Sequence, residues 1–398
     1  MKLIEPIVAW QAEMTALRRD IHAHPELGYE EHRTADLVAA KLQEWGIPVH
    51  RGLGGTGVVG AIKGQAGESP RAIGLRADMD ALPMQEVNTF AHASKVPGKM
   101  HGCGHDGHTA MLLAAARHLA AYPDFAGTVY VIFQPAEEGG AGAQRMIDDG
   151  LFERFPMEAV FGMHNWPGMP AGSFGLTTGP IMASSNEFDV IVKGKGSHAG
   201  MPNLGVDPVM AAVQIAQSLQ TIVTRNRNPL DAAILSITQI HAGSAYNVVP
   251  GHAEMRGTVR TFTLQTLDLI ERRMGEIVEH TARAMGCEAE FTFRRNYPPT
   301  VNEAGETALC AEVIRDLVGE QRLDAQVQPT MGAEDFAFML QAKPGCYVWI
   351  GNGNGEHRAD GHGMGPCMLH NGSYDFNDEI LPLGASYWVN LARRRLAG

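Results

Sequence analysis

Lys99–His108 reads KMHGCGHDGH, ten residues with three histidines, a cysteine, an aspartate and three glycines. Cys103 and His105 stand two apart, so on an irregular loop both side chains can point at one ion. Thiolate and imidazole are ligands for zinc and for other first-row divalent metals. The competing reading is a polar loop without an ion. A second stretch, QPAEEGG, sets Glu137 and Glu138 directly after the β-branched apolar run GTVYVIFQ. Ligands of open α/β sheets gather at the carboxyl ends of strands. Two adjacent carboxylates there can divide labour, one binding metal while its neighbour acts on water as general base; the competing reading is a solvated acidic turn. His164 closes the apolar run in AVFGMHNW, and His370, in MLHNGSYDFND, follows the glycine-rich GNGNGEHRADGHGMG. A lone histidine at a strand end is more often a satisfied core residue than a ligand. What makes Cys103, His105, Glu138, His164 and His370 a candidate metal site is their common placement on loops and strand ends of one predicted domain.

Other chemistries find less support. Gly52–Gly57, GLGGTG, fits G-x-G-x-x-G. A dinucleotide fingerprint must follow a strand and open a helix, whereas this one follows a predicted helix and leads into a strand, so it reads as a glycine-rich turn. Neither a G-x-S-x-G elbow nor an H-E-x-x-H helix occurs in the sequence. Two rivals to a metal hydrolase stay open: a thiol amidase with Cys103 as nucleophile and His105 as its base, and a silent binder of small acids. Glu137 argues against the second, since a binding protein has no use for a base beside metal ligands.

The elements that must position these residues follow from periodicity. IEPIVAWQAEMTALRRDIH, RTADLVAAKLQEWG (stopping at Gly46) and HTAMLLAAARHLAAY carry helical spacing, while GVVGAIKG, RAIGLRAD, GTVYVIFQ and AVFGMHNW read as strands. The alternation predicts an α/β domain whose mostly parallel sheet is covered on both faces. From Ser184 the order becomes β-α-β-β-α-β, the ferredoxin-like pattern. After Tyr297 the α/β pattern returns. The expected division is a catalytic domain of residues 1–183 plus 296–398, with a ferredoxin-like domain of residues 184–295 inserted.

Composition narrows the function. The 398 residues carry a formal net charge of -12, which disfavours nucleic acid and anionic membranes as partners. An anionic small substrate would need a local basic anchor. Glu5 and Pro6 interrupt the apolar run a signal peptide needs, and the five cysteines are odd in number and widely spread; both point to the reducing cytoplasm.

The sequence resembles the M20 metallopeptidase family, and within it the amidohydrolase branch that holds hippurate hydrolases and auxin-conjugate hydrolases. The resemblance is carried by RRDIHAHPELGYEEHRTA, LRADMDALPMQE, MHGCGHDGHTAMLL, FQPAEEGGAGA, FGMHNWPGMPAG, KGKGSHAGMPNLGVDPV, NVVPGHAEMRGTVRTF, GAEDFAFM and LHNGSYDFND. It implies Cys103, His105, Glu138, His164 and His370 as ligands of one or two divalent ions (Mn, Zn, Co or Ni). It implies Glu137 as general base and Asp80 as a carboxylate orienting a ligand. Where the broader family has a histidine two residues before Asp80, this sequence has Asp78. The resemblance further implies a zinc-exopeptidase-like catalytic domain, an insert that serves as dimerisation or lid domain, and a homodimer or dimer of dimers. In such a dimer His198 reaches the partner's site, and Asn247 and Arg260 hold the carboxylate of an N-acyl amino acid substrate.

Overall fold

The computed structural model describes residues 1–397. The chain divides into two compact units: Met1–Ile181 with Val301–Gln328 and the segment from Asp335 onward, and Met182–Thr300 with Pro329–Glu334. Gly179–Met182, leading into the second unit, pairs with Thr300–Asn302, leading out of it.

The first unit is built on an eight-stranded sheet. At its centre, Thr128–Gln134, Ala72–Asp78, Ala159–Pro167 and Gly345–Gly353 run parallel in that spatial order. Ala72–Asp78 and Gly345–Gly353 are buried at every residue, as expected of parallel strands covered on both faces. Towards one edge the sheet turns antiparallel, because Val49–Leu53 and Gly57–Lys63 form a hairpin. Gly54 and Gly55 take φ of 62° and 88° in its turn, a conformation nearly free of cost only for glycine. The glycine-rich 52–57 segment is therefore a turn as expected, but it follows a strand, not a helix.

Helix His105–Ala121 has most of its residues buried and packs on the sheet and beneath the N- and C-terminal helices. Helix His32–Glu44 ends where predicted: Gly46 takes φ 72°, and the Ile47 amide bonds back to Leu42 O at 3.0 Å, closing the last turn in the manner of a Schellman motif. The predicted N-terminal helix is broken at Trp10 (φ -90°, ψ 4°) into Glu5–Ala9 and Gln11–Ala23.

The second unit is ferredoxin-like. Its four long strands are antiparallel in the order Ala233–Ala242, His252–Thr261, Ser185–Lys193, Glu288–Tyr297. Helices Pro208–Thr221 and Leu264–Ala284 cover one face, with Val190, Val192, Ile215, Leu219, Met255 and Met274 in a core separate from that of the first unit. Asp207 caps the first of these helices, accepting from the amides of Val209 and Met210. Thr263 caps the second, accepting from Thr266. No helix among the described residues is long and apolar enough to cross a membrane.

A buried ionic lattice ties the first unit together from beneath. The Arg18 guanidinium is fully buried and reaches Asp378 at 2.7 Å, Asp375 at 3.0 Å and Asp106 at 3.3 Å. His22 donates to Asp106 at 2.8 Å and stands 3.3 Å from Glu86. Burial alone would lower the His22 pKa, but Asp106 and Glu86 override it and raise the group to about 9. The folded value lies above the unfolded value of about 6.5. The charged imidazole therefore contributes stability that is fully present below about pH 6.5 and is lost as pH rises through about 9. Calorimetric melting from pH 6.5 to 9.5 should show parent stability falling faster than that of His22→Gln, which starts lower. Parallel curves for the two proteins would contradict this.

Candidate metal centre

Six segments, all within the first unit, meet around the candidate ligands, the turn of Glu137 and Glu138 and the loop of His370 among them. Ala72–Asp78 delivers Asp78 and, just beyond it, Asp80. The Gly102–Gly104 bend delivers Cys103. Helix His105–Ala121 begins with His105, and strand Ala159–Pro167 carries His164. His105 is thus the first residue of a helix and not part of an irregular loop. Gly104 makes the join with φ 94°, and a Cβ there would lie 2.2 Å from Asn165 Nδ2; only glycine fits.

The Nδ1–H of His105 donates to Asp80 O at 2.8 Å and faces Asp80 Oδ1 at 3.2 Å. This bond fixes the ring and turns Nε2 towards the cluster. His164 donates from Nδ1 to Asn165 O, and its Nε2 faces Cys103 Sγ at 3.3 Å. The second oxygen of Asp80 accepts the Glu138 amide at 2.9 Å, so one aspartate orients both His105 and the Glu138 backbone, the task expected of a carboxylate behind metal ligands. Glu138 Oε1 lies 3.2 Å from His370 Nε2. Ligand-type atoms of Cys103, His105 and His164 lie within 4.8 Å of one another, as do those of Cys103, Glu138 and His370, and those of His105, Glu137 and Glu138. The structure therefore brings together Cys103, His105, Glu137, Glu138, His164 and His370.

The Glu137–Glu138 pair sits on a single distorted turn whose flanks are strained. Ala136 and Ala141 take φ of 50° and 53°, costing on the order of 1 kcal/mol each. Glu31, fully buried, holds the Ala136 amide at 2.8 Å and is itself fixed by the Thr56 hydroxyl at 2.6 Å. Tyr29, also at positive φ, donates its hydroxyl to Gly140 O at 2.6 Å.

Sequence reasoning missed one member of the neighbourhood, His108, and gave another, Asp78, no role. Asp78 is fully buried and accepts from Arg76 at 2.7 Å and from His108 Nδ1 at 2.6 Å, with an oxygen 3.7 Å from His105 Nε2. His108 Nε2 accepts the Asn165 amide at 2.9 Å. The signal for His108 was present: it lies three residues after His105 on one helix, the spacing that shares a face. Asp78 had two signals, its place at a strand end and its position where the broader family has a histidine.

The electrostatics suit a cation. His105 would be lowered by burial, yet Asp78, Asp80 and Glu138 raise it to about 10. Its Nε2 is buried without a hydrogen-bond partner among the described residues. Surroundings negative enough to hold a proton there also favour a divalent ion. Burial, then neighbouring His108, push His164 well below the usual imidazole range, so it is neutral with a lone pair on Nε2. Burial, then Glu138 and Glu137, push the Cys103 thiol well above its ordinary value. A nucleophilic cysteine needs a depressed pKa, and the nearby imidazole nitrogen belongs to His164, since His105 Nδ1 is committed to Asp80. Neither observation favours a thiol amidase with His105 as the base of Cys103. Three imidazoles, a thiol and carboxylates with a surplus of negative charge fit one or two divalent ions.

The model of peptidase family M20/M25/M40 matches residues 74–394. The chain belongs to the M20 family. It is 41% identical over 396 residues to a hippurate hydrolase of Campylobacter jejuni, covering 100% of both chains. An N-acetylcysteine deacetylase of Bacillus subtilis is 39% identical, with 96% of this chain and 97% of that one covered. A crystal structure of a Bacillus subtilis protein, described as a dinuclear metal-binding peptidase of the M20 family, superposes with a TM-score of 0.84 at 34% identity, over 98% and 99% of the chains. As an M20 member the chain is a hydrolase of amide bonds.

His198, Asn247 and Arg260 lie in the second unit. His198 forms a two-residue strand with Ser197 that pairs with Val248–Val249, and the Ala199 amide bonds to Asn247 O at 3.0 Å, so His198 and Asn247 are neighbours. Arg260, on strand His252–Thr261, is half-buried and bonds only uncharged oxygens, those of Thr258 and Val259. No ion pair reaches it among the described residues, and burial lowers its pKa.

Replacing Cys103 or His105 by Ala should remove bound metal and activity together. Asp80→Asn, which leaves every candidate ligand in place, should weaken metal affinity by roughly 10- to 100-fold. Full metal occupancy in all three variants, read by elemental analysis after dialysis, would refute the site.

Proposed function

We propose that this chain is a metal-dependent amidohydrolase that cleaves N-acyl amino acids to a carboxylic acid and an amino acid. The observation that carries the reading is a buried carboxylate, Glu137, placed beside a cluster of ligand-type side chains but least engaged with it. Of the other candidate ligands, Glu138 groups with Cys103, His105 and His370, whereas Glu137 groups only with His105 and Glu138. Glu138 is accordingly assigned as ligand with Cys103, His105, His164 and His370, and Glu137 as base. Divalent ions held by these five supply polarisation of the amide carbonyl and acidification of water.

Glu137 takes the proton of the attacking water and returns it to the amide nitrogen as the C–N bond breaks. Burial against the Asp335 amide, 3.4 Å from Glu137 Oε1, keeps its orientation fixed through both transfers. Arg260, a half-buried cation with no ion pair among the described residues although the Glu187 charge acts on it, suits the free α-carboxylate of the substrate, and Asn247 is assigned to the same end. That local anchor reconciles an acidic protein with an anionic substrate. His198 is assigned as donor to the developing oxyanion, serving the partner subunit of a homodimer built through the ferredoxin-like unit. Substrates fitting this reading match those named for the hippurate hydrolase and the deacetylase. The metal is one of Mn, Zn, Co or Ni. The five free, buried cysteines suit a reducing compartment such as the cytoplasm.

Glu137→Gln should retain metal and lose about two to four orders of magnitude in kcat, whereas Glu138→Gln should lose metal as well. The opposite pattern would exchange the two roles. For the substrate's acid end, N-acyl amino acid methyl esters should be cleaved roughly 10- to 100-fold less well than the free acids, because a charged hydrogen-bond partner of Arg260 is lost. Arg260→Ala should abolish that preference. Equal turnover of acid and ester by the parent enzyme would remove Arg260 from the reading.

A further inference from the structure

The strained turn that carries Glu137 and Glu138 is gripped at both ends by one side chain. Asp335 is fully buried. Its Oδ1 and Oδ2 accept from Gln134 Nε2 at 2.8 and 2.9 Å, and Oδ2 also accepts the Ala143 amide at 2.9 Å. Gln134 closes strand Thr128–Gln134, two residues before Ala136. Ala143 opens helix Gly142–Asp148 with Gly142, two residues after Ala141. Ala136 and Ala141, the two alanines at positive φ, therefore lie inside the span that this carboxylate bridges. The Asp335 amide donates to Glu137 Oε1 at 3.4 Å.

Asp335 is itself tied to the central sheet. Arg76, on the strand parallel to Thr128–Gln134, is buried and spreads its guanidinium over three partners. It reaches Asp335 Oδ1 at 3.1 Å, Asp78 Oδ2 at 2.7 Å and Gln134 Oε1 at 2.8 Å. Asp78 already serves Arg76 as counter-ion, so charge balance alone does not account for Asp335. What Asp335 adds is one fixed point shared by the strand that enters the turn and the helix that leaves it. Glu31 and Asp80 hold the Ala136 and Glu138 amides, whereas the contact from Asp335 is with the Glu137 carboxylate itself.

We infer that Asp335 is the positioning residue of Glu137: its carboxylate clasps both ends of the turn while its amide fixes the Glu137 side chain. The inference rests on the reading of Glu137 as base. Left-handed backbone in non-glycine residues persists only where the surroundings over-determine it. Opening the clasp lets the turn relax, and Glu137 then drifts from the water it must deprotonate. A displacement of about 1 Å is enough to cost on the order of 100-fold in rate. Asp335 acts through Glu137 and not on the substrate, so its removal lowers kcat and leaves KM in place.

The test compares the metal-loaded parent, Asp335→Asn and Gln134→Met on N-benzoylglycine, with metal content and melting temperature measured alongside. Asp335→Asn should keep its metal and a KM within about twofold of the parent, while kcat falls on the order of 100-fold. Gln134→Met opens one arm of the clasp and leaves the Asp335 carboxylate in place. It should show the same split at roughly tenfold, and it decides the matter if Asp335→Asn does not fold. In a Glu137→Gln background Asp335→Asn should cost nothing further in kcat, because a positioning residue has nothing left to position. Parent-like kcat in both variants, a loss that tracks lost metal, or losses that multiply in the Glu137→Gln background overturn the inference. A second arm needs no turnover. In crystal structures of the parent and Asp335→Asn the Glu137 carboxylate should differ in position by about 1 Å or more, with His105 and His164 unmoved; an unmoved Glu137 also overturns the inference. If Glu137→Gln is as active as the parent, the base reading fails, and the crystal comparison still decides whether Asp335 sets the position of Glu137.

Discussion

The first unit is organised around the need to neutralise carboxylates that its own folding buries. Asp78, Asp80 and Asp106 all leave water within thirty residues of chain, and Glu137 is buried with them. An isolated buried carboxylate is costly enough to protonate or to unfold its surroundings. The fold answers in two ways. Beneath the site, Arg18 and His22 neutralise Asp106, with Asp375, Asp378 and Glu86 drawn into the same lattice. On the sheet, Arg76 and His108 flank Asp78. The charge left over is concentrated where His105, Glu137 and Glu138 come together, and a cation is what that remainder calls for.

Strain marks the same place. Tyr29, Ala136, Ala141 and His370 are the non-glycine residues at positive φ, and each borders the Glu137–Glu138 turn or supplies a candidate ligand. Left-handed backbone persists in such residues only when the surroundings over-determine it. Here the surroundings are identifiable: Glu31 on the Ala136 amide, Tyr29 on Gly140 O, and Gly28 so close that a Cβ there would come 3.0 Å from Ala136 Cα. The segment ELGYEE, far from the metal cluster in sequence, is the brace that aims the carboxylates.

Much of this architecture was legible in the sequence, for definite reasons. Long buried strands such as GTVYVIFQ announce themselves by β-branched runs, and the insert by its change of element order. Strand Val49–Leu53 escaped notice because it is short and half-exposed, with His50, Arg51 and Gly52 in place of apolar alternation. Pro329–Glu334, which joins the second unit, has no periodic signal at all; it is held by amide bonds from Ala183 to the carbonyls of Thr330 and Gly332. The gathering of side chains around Cys103 was legible through the density of ligand-type residues, helped by family resemblance for His370. Asp78 and His108 were not, because their burial and mutual bonding exist only once strand and helix are packed. Arg260 became informative only when the absence of an ion pair to it among the described residues was visible.

The pairing of Gly179–Met182 with Thr300–Asn302 has a consequence for how the chain assembles. Neighbouring strands lie about 4.8 Å apart, so a segment of more than a hundred residues begins and ends at nearly one point. Strand Gly345–Gly353 must find Ala159–Pro167 across that whole separation to complete the central sheet. Loop-closure entropy grows with the logarithm of the loop length, and a folded insert with joined ends counts as a very short loop. The ferredoxin-like unit has its own core and local pairings. An insert that folded first would bring the two distant halves of the sheet to the threshold of contact and lower the entropic cost of closing a non-contiguous domain.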